Sequence, residues 1–374
     1  MILVDWYSPG YKAGGPIQSC VNIVNALYQY YDIYVLTSDT DHGETEPYTG
    51  IESNTWLKEV FPGISVYYTR KATLKKKQVR ELINEIEPDF IYLNHIYSPV
   101  FVVYPLWLKW RNKIAGKMIL CPRGALHKGA LAVKTYKKLP FLFLLRWLGI
   151  NKKILFHATN EKERGEIERF FPGSNIIIAN NLPESDQPEL VFCEKRPGEL
   201  KCLFISRLVP IKNLLFLLGI LGKIKSNMAL TIAGPVEDKD YWEACLKKIS
   251  ELSPNIAVKY IGSVQKSEMQ KIYHENHLFF LPTTGENFGH SIFESFLFGR
   301  PVLISDRTPW KQLQQKNIGW ELSLDDPESF CKAIEAAAAW EQKDFESIAA
   351  TSWNFAHNFI NDRSEVEKYK LLFS

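Results

Sequence analysis

Two glutamates in the second half of the chain have a spacing that limits the chemistry they could do. Glu286 and Glu294 follow an apolar run and stand eight positions apart. On a helix, eight residues correspond to about 12 Å of axial rise, whereas carboxylates that attack one glycosidic bond from both sides lie about 5–9.5 Å apart. The spacing therefore favours two anchors that grip separated hydroxyl groups of one long ligand. Incidental acids on a solvated helix are the alternative, which is weaker for Glu294 because core-like residues surround it.

The same segment predicts an anion site beside these carboxylates. A helix is expected to begin near Asn287 and to stop before Gly299. Free N–H groups at the start of the helix, together with Gly289, suit a negatively charged group.

Two cations precede this segment. Arg207 leaves the end of a predicted strand, and Lys212 follows it where the next helix begins. Two cations at a strand end beside a helix N-terminus suit a diphosphate. A plain surface pair is an equally good interpretation of these two residues taken alone.

Short apolar strands that alternate with helices carry these residues. This pattern predicts parallel sheets covered by helices on both faces. The predicted strands cover residues 2–6, 32–37, 90–93, 118–121, 154–157 and 176–178 in the first half, and 202–206, 228–233, 257–261, 277–281 and 301–305 in the second.

A polar, proline-containing stretch separates the two series of strands. It covers residues 183–198 (PESDQPELVFCEKRPG) and is the best linker candidate. We therefore predict two Rossmann-like doubly wound α/β domains, residues 1–190 and 191–351, followed by a terminal segment, 352–374. In such folds ligands bind at the carboxyl ends of the strands, so the two domains are expected to face each other across a cleft.

Composition excludes several classes of protein. The chain has 374 residues, 45 basic against 42 acidic, and 46% hydrophobic residues. This near-balance does not support a dedicated nucleic-acid binder, and the apolar fraction argues against disorder. The six cysteines have no paired spacing, which favours reduced thiols in a cytoplasmic protein. The first residues lack the pattern of a signal peptide.

The combined motifs resemble the retaining nucleotide-sugar glycosyltransferases of family 4, which have the two-domain B fold. The resemblance covers nearly the whole chain, with the motifs in the same order. Within the family, the chain is similar to the branch that builds bacterial exopolysaccharide, capsule and lipopolysaccharide. It rests on Arg207 with Lys212, on the Glu286-x7-Glu294 pair and on these further motifs: Gly14-Gly15-Pro16, Pro122-Arg123-Gly124-Ala125-Leu126, His157-Ala158-Thr159-Asn160-Glu161, Gly299-Arg300-Pro301, Thr308-Pro309-Trp310 and Gly319-Trp320.

The resemblance implies roles for the matching positions. Arg207 and Lys212 would neutralise the donor diphosphate, Glu294 would accept hydrogen bonds from the ribose hydroxyls, and Glu286 would hold the transferred sugar. The terminal segment would cross back to brace the first domain. The remaining donor contacts would be the backbone amides of Asn287, Phe288 and Gly289, the Gly14-Gly15 loop near the phosphates, and Val264 near the base.

The first domain departs from the family pattern at one position. Many members place a histidine after the strand that corresponds to residues 118–121, where it helps to hold the sugar, but this chain has Arg123 there. Arg123 could replace that histidine or hold the acceptor. His95 and His127 are the other candidates for sugar or acceptor contacts, and a structural histidine is as good an interpretation for each of them.

The resemblance also implies a reaction without an enzyme nucleophile or a metal ion. The leaving phosphate would take the acceptor proton while the hydroxyl attacks the same face of the sugar. No cofactor is expected, because Arg207 and Lys212 supply the positive charge. The motifs Asp39-Thr40-Asp41 and Asp238-Lys239-Asp240 spell the D-x-D signature of metal-dependent enzymes but stand in loops without its context.

The predicted function is thus transfer of a sugar from a nucleoside-diphosphate sugar, with uridine favoured by family habit, to a glycan or lipid-linked glycan. A nucleotide-sugar epimerase of the same fold is one alternative, with His95 as a candidate acid or base. A non-catalytic nucleotide-sugar-binding protein is the other, although both cations and both acids of the donor site are present.

One basic and aromatic stretch, residues 134–153 (KTYKKLPFLFLLRWLGINKK), bears on localisation. It could lie on an anionic membrane, which would suit an acceptor on a lipid carrier at the inner face of the cytoplasmic membrane. A packed helix with solvated lysines is the interpretation that the resemblance favours.

Overall fold

The computed structural model describes residues 1–61, 63–70, 74–132 and 135–374. The chain divides into two compact units, the first formed by residues 1–185 with 363–374 and the second by residues 186–362. The division falls slightly before the predicted boundary at 190 and 191.

The first unit contains a mixed sheet of eight strands. In chain order they are β1 (Ile2–Leu3), β2 (Ile33–Ser38), β3 (Trp56–Phe61), β4 (Ile64–Thr69), β5 (Phe90–Asn94), β6 (Lys117–Cys121), β7 (Leu155–Ala158) and β8 (Asn175–Ile178). Their order across the sheet is β3-β4-β2-β1-β5-β6-β7-β8, and only β3 pairs antiparallel. The chain order reverses between β1 and β5, where a ligand site is expected.

Seven helices belong to the described part of this unit: α1 (Gly15–Leu27), α2 (Lys76–Ile86), α3 (Tyr104–Trp110), α4 (Lys128–Ala132), α5 (Thr135–Trp147), α6 (Glu161–Phe170) and, from the end of the chain, α13 (Ser364–Leu372). Alternate strand residues enter different cores: Leu3 and Leu36 belong to one cluster, and Ile2 and Val35 to another. Both faces of the sheet are therefore buried, as predicted for a doubly wound domain.

The second unit contains six parallel strands and the helices between them. The strands are β9 (Glu199–Ile205), β10 (Asn227–Ala233), β11 (Ile256–Tyr260), β12 (Leu278–Leu281), β13 (Val302–Ser305) and β14 (Gly319–Leu322). The helices are α7 (Leu214–Leu221), α8 (Lys239–Ser250), α9 (Lys266–His274), α10 (His290–Leu297), α11 (Pro327–Ala338) and α12 (Gln342–Asn361).

The strands of the second unit run β11-β10-β9-β12-β13-β14 across the sheet. Counted along the chain, the third, second and first strands are followed by the fourth, fifth and sixth. This is the order of the dinucleotide-binding Rossmann fold, and its topological switch lies between β9 and β12. The prediction of two Rossmann-like α/β domains is confirmed by the two sheets.

The end of the chain differs from the single terminal segment predicted at 352–374. Helix α12 runs through residue 352 and belongs to the second unit, whereas α13 belongs to the first. The helices are separate because the backbone of Asp362 is extended, with φ −73° and ψ 106°. In α13, buried Tyr369 contributes to the core of the first unit.

Candidate functional site

Arg207 lies just after β9, at the topological switch of the second unit. Its Nη1 donates to Glu237 Oε2 at 3.0 Å, and the two side chains are 39% and 21% exposed. Gly234, after β10, lets the loops after β9 and β10 approach each other, because a Cβ there would lie 1.9 Å from the carbonyl oxygen of Ser206. Glu237 was not singled out from the sequence, although its place shortly after Gly234-Pro235, at the end of the predicted strand 228–233, is a signal that could have found it.

Lys212 ends a short 3-10 turn, Pro210–Lys212, and forms an ion pair with Glu286. The loop after β12 holds this turn: Thr284 N donates to the carbonyl of Ile211 at 2.8 Å, and Asn213 Nδ2 donates to the carbonyl of Pro282 at 3.0 Å. The side chains of Lys212 and Glu286 are only 16% and 12% exposed. The pair is thus less screened by water than an ordinary surface pair.

The helix after β12 begins later than predicted. Helix α10 starts at His290, and Gly289 precedes it with φ +80°. A side chain is disfavoured there by the backbone conformation, and a Cβ would lie 2.7 Å from Ile292 Cδ1. The carbonyl of Phe288 accepts a hydrogen bond from Trp310 Nε1 at 2.6 Å. Glu286 and Asn287 are therefore loop residues, and the helical separation expected between Glu286 and Glu294 does not apply.

Glu294 lies on α10, partly buried, beside Tyr273 of α9. The Tyr273 hydroxyl is 3.0 Å from the carbonyl oxygen of Ser291 and 3.4 Å from Glu294 Oε2. The Tyr273 ring stacks on Phe298 with 4.9 Å between centroids. These contacts hold the carboxylate of Glu294 against the start of its own helix.

Val264 lies in the loop after β11, on the other side of β10. The neighbouring Gly262, with φ +77°, accepts a hydrogen bond through its carbonyl from Gly234 N at 2.7 Å. Val264 is half-buried. The loops after β9, β10 and β11 are thus linked to one another at the carboxyl edge of the sheet.

The second unit brings two cations and their carboxylates to the switch between β9 and β12. Each cation is paired with a carboxylate, and both pairs keep some exposure to water. A dianionic ligand could exchange with the carboxylates for the same donors, because Arg and Lys bind phosphate oxygens through charge-assisted hydrogen bonds.

Gly14 and Gly15 lie at the corresponding switch of the first unit, between β1 and β5. Gly14 precedes α1 with φ +64°, and a Cβ there would meet no atom within 4 Å. The positive φ angle favours glycine at this position, whereas the surrounding space would admit a side chain. The carboxylate of Asp41 anchors the loop by accepting from Tyr11 N at 2.9 Å and from Lys12 N at 3.2 Å.

Arg123 lies after β6 and has three polar partners inside the first unit. Its Nε donates to Asn94 Oδ1 at 2.8 Å, its Nη2 lies 3.0 Å from the Tyr92 hydroxyl, and its Nη1 donates to Asn181 Oδ1. The guanidinium thereby connects the ends of β5 and β6 with the segment after β8. Its role as a sugar or acceptor contact stays a prediction, beside a structural role that the sequence did not reveal.

A buried chain of hydrogen bonds continues from Arg123. Arg123 donates to the Tyr92 hydroxyl, which lies 2.8 Å from His157 Nδ1, and His157 Nε2 lies 2.8 Å from the carbonyl oxygen of Ala179. Because a carbonyl only accepts, His157 carries its proton on Nε2 and Tyr92 donates to Nδ1. Burial lowers the pKa of His157 to about 3, so this imidazole is neutral.

The two candidate histidines of the first unit have local backbone contacts. His95 follows β5 with φ +74°, and its Nδ1 lies 3.3 Å from Tyr97 N. Burial lowers the pKa of His95, which favours the neutral imidazole. His127 Nδ1 accepts from Gly129 N at 3.2 Å. A sugar or acceptor contact for either histidine stays a prediction.

An aspartate of each D-x-D motif makes a hydrogen bond that stabilises the local fold. Asp39 is buried and accepts from Ser53 at 2.8 Å, and Asp238 caps α8 by accepting from Tyr241 N at 3.0 Å. Within the described ranges, no group of three or more His, Cys, Asp or Glu residues is arranged to hold a metal ion. Nor is any helix of those ranges long and apolar enough to cross a membrane.

Comparison with known proteins defines the class of this fold. Residues 199–339, most of the second unit, match the family model described as "Glycosyl transferases group 1". No curated protein matches the chain significantly. The group 1 match therefore applies to the part of the chain that carries Arg207, Lys212, Glu286 and Glu294.

Solved structures of similar fold cover nearly the whole chain. HepE from Anabaena, in complex with UDP and glucose, is 14% identical with a TM-score of 0.66, over 99% of this chain and 97% of that one. Sucrose-phosphate synthase from Thermosynechococcus elongatus is 13% identical with a TM-score of 0.69, over 96% and 93%. WaaG, a glycosyltransferase involved in lipopolysaccharide biosynthesis, is 11% identical with a TM-score of 0.67, over 99% and 98%. The chain thus has the fold of the B-type glycosyltransferases, with two Rossmann-like domains.

Proposed function

We propose that this protein is a retaining, metal-independent glycosyltransferase. It transfers a hexose from a nucleoside-diphosphate sugar, with UDP as the nucleotide, to a glycan or lipid-linked glycan in the synthesis of a surface polysaccharide. The observation that carries the proposal is that Arg207, Lys212 and Glu286 lie in the loops after β9 and β12, at the switch, with Glu294 on α10, the helix that follows β12. The group 1 match over these residues supports it.

In the proposed reaction, the donor diphosphate binds beside Arg207 and Lys212 and replaces the carboxylates as their partner. Their positive charge stabilises the leaving nucleotide as the bond to the anomeric carbon breaks. The acceptor hydroxyl attacks from the same face and passes its proton to the leaving phosphate. Glu286, released from Lys212, accepts hydrogen bonds from the sugar, and Glu294 accepts them from the ribose.

Uridine and the surface-polysaccharide role rest on the neighbours and on the motif resemblance. HepE is described with UDP and glucose, and WaaG with lipopolysaccharide biosynthesis. A lipid-linked acceptor would place the enzyme at the inner face of the cytoplasmic membrane.

The first experiment measures the affinity for UDP, GDP, ADP and CDP by calorimetry, in EDTA, for the wild type and for Glu294→Gln. We expect UDP to bind best, and we expect the variant to lose about tenfold to 100-fold in affinity, because two hydrogen bonds to a charged acceptor are lost. Glu328→Gln is the matched control, since Glu328 pairs with a lysine on the surface of the same unit. Equal affinities of Glu294→Gln and wild type would contradict the donor site.

A second experiment separates transfer from the alternatives. Incubation with a UDP-hexose and a glycan acceptor should release UDP and give a product with the anomeric configuration of the donor, read by proton NMR. Appearance of an epimeric UDP-sugar without acceptor would instead indicate an epimerase. A rate that EDTA abolishes and magnesium restores would contradict metal independence.

A further inference from the structure

Helix α5 (Thr135–Trp147) carries apolar residues on two opposite faces. Leu142 and Leu145 are buried in the core of the first unit. Phe143 and Trp147, by contrast, are 69% and 74% exposed, and Tyr136 is 72% exposed. A helix that only covered the core would present polar residues to water. The outer face of α5 therefore needs an explanation that packing within the unit does not supply.

The exposed residues form one stripe. Tyr136, Leu139, Phe143 and Trp147 follow each other at intervals of three and four residues, which places them on one side of a helix. The stripe is about 16 Å long at 1.5 Å per residue. Leu144, also exposed, widens it. This length and shape suit a helix that lies flat in an interface and is far too short to span a bilayer.

The segment of the chain that carries the stripe has charges of one sign. Residues 90–160 contain twelve Lys and Arg residues and no Asp or Glu, although the whole chain is nearly balanced at 45 against 42. Lys137 and Arg146 on α5, and Lys152 and Lys153 just after it, are exposed. Basic side chains with aromatic neighbours match a surface of phosphate headgroups above acyl chains.

We infer that α5 binds the surface of a bilayer of anionic phospholipids. The aromatic stripe enters the boundary between headgroups and acyl chains, and the flanking lysines and arginines contact the lipid phosphates. A second copy of this chain is a poorer occupant, because its basic segment would face the same charge. The biological reason for this binding rests on the proposed function, since membrane attachment would bring the enzyme to a lipid-linked acceptor.

The test is cosedimentation of the full chain with vesicles, without nucleotide. Vesicles of phosphatidylcholine containing about a third phosphatidylglycerol should bind the protein at least about tenfold better than pure phosphatidylcholine, because each basic residue near an anionic surface adds attraction. High salt should weaken this binding. The double variant Phe143→Ser with Trp147→Ser should bind about tenfold or more weakly, because two aromatic side chains no longer enter the membrane.

The matched control is Tyr30→Ser with Leu371→Ser, two exposed apolar residues elsewhere in the first unit. It should bind the vesicles as the wild type does. Equal binding by both double variants and the wild type, or no preference for phosphatidylglycerol, would overturn the inference. So would a dimer in sedimentation velocity that the Phe143→Ser with Trp147→Ser change dissolves, because a second copy would then cover α5.

UDP affinity of the same variants keeps the two proposals separate. Both double variants should bind UDP as the wild type does, because neither change touches the second unit. Loss of vesicle binding with intact UDP binding supports the membrane surface, and intact vesicle binding in a protein without UDP affinity would contradict only the proposed function.

Discussion

Arg123 lies at the carboxyl edge of the first sheet and Arg207 at that of the second, and the two arginines have opposite surroundings. In the first unit, Arg123 donates to the neutral oxygens of Asn94, Asn181 and Tyr92, next to a neutral buried histidine. In the second unit, Arg207 pairs with the carboxylate of Glu237 and stays 39% exposed. The partners of Arg123 are neutral groups that connect the ends of strands, whereas the partner of Arg207 is a carboxylate that a diphosphate would replace in the proposed reaction.

The difference follows from the cost of leaving groups unpaired. Removing Arg123 would leave several polar atoms without partners where water has little access, and such atoms are expensive. Removing Arg207 would leave Glu237 at a site that water reaches, which costs little stability. An arginine at the carboxyl edge of a Rossmann-like sheet can therefore serve mainly the fold in one domain and, under the proposed function, mainly a ligand in the other.

The largest expected effect concerns catalysis in the second unit. Arg207→Gln and Lys212→Gln should each lower the rate of donor cleavage by about 100- to 1000-fold, because a charge that stabilises the leaving group is lost. The melting temperature should barely change in Arg207→Gln, because Glu237 stays accessible to water. The measurement is release of UDP from a UDP-hexose under saturating donor. Arg196→Gln, a surface arginine paired with Glu194, is the control, and a loss of activity of the same size there would break the comparison.

Stability of the first unit should depend on Arg123. Arg123→Gln should lower the free energy of unfolding by about 3 kcal/mol, because buried partners lose their donor. Urea titration followed by circular dichroism measures this, with the exposed Arg111→Gln as control. Unchanged stability together with loss of sugar transfer would show instead that Arg123 acts on the substrate.

The buried histidine next to Arg123 should make stability depend on pH. The pKa of His157 is lowered to about 3 in the folded protein, against about 6.5 in an unfolded chain. The unfolded state therefore binds more protons between these values, and stability is lost as the pH falls from about 6.5 towards 3. Above this window His157 is neutral in both the folded and the unfolded state, and its protonation costs no stability.

His157→Gln should reduce the loss of unfolding free energy between about pH 7 and pH 5 by about 2 kcal/mol, measured by urea titration. His277→Gln is the counterpart in the second unit, where burial lowers the pKa of the histidine to about 4. It should reduce the loss in the same way. If both variants kept the full pH dependence of the wild type, the neutral histidines would not be its source.

The smallest expected effect concerns the influence of Glu237 on the affinity for UDP. Glu237→Gln should raise the affinity for UDP about two- to fivefold, because the diphosphate no longer competes with a carboxylate for Arg207. Calorimetric titration measures this, and Glu328→Gln, which removes the carboxylate of another surface pair, should have no effect. A weaker affinity for UDP would mean that Glu237 positions Arg207 for the ligand.

Local patterns in the sequence predicted much of the architecture. The alternation of apolar strands with helices, and the polar stretch at 183–198, predicted two doubly wound domains, and the two sheets confirm this. The antiparallel hairpin of β3 and β4 was missed, since β4, next to the edge strand β3, is not buried at every position and does not have the continuous apolar run of a central strand. The start of α10 was placed too early because residues 286–289 form a loop. Glu286 N donates to the carbonyl of Arg307, and the carbonyl of Phe288 accepts from Trp310 Nε1.

Sequence by itself determined the order of the elements and which residue types follow each strand, because these depend on neighbours along the chain. Tertiary structure alone decided the partners. Lys212 and Glu286 are 74 residues apart, Arg207 and Glu237 are 30 apart, and Arg123 and Asn181 are 58 apart. Whether a charged group meets a carboxylate near water or an amide in the interior depends on how the strands are ordered across the sheet, and that order is set by packing over long distances in the chain.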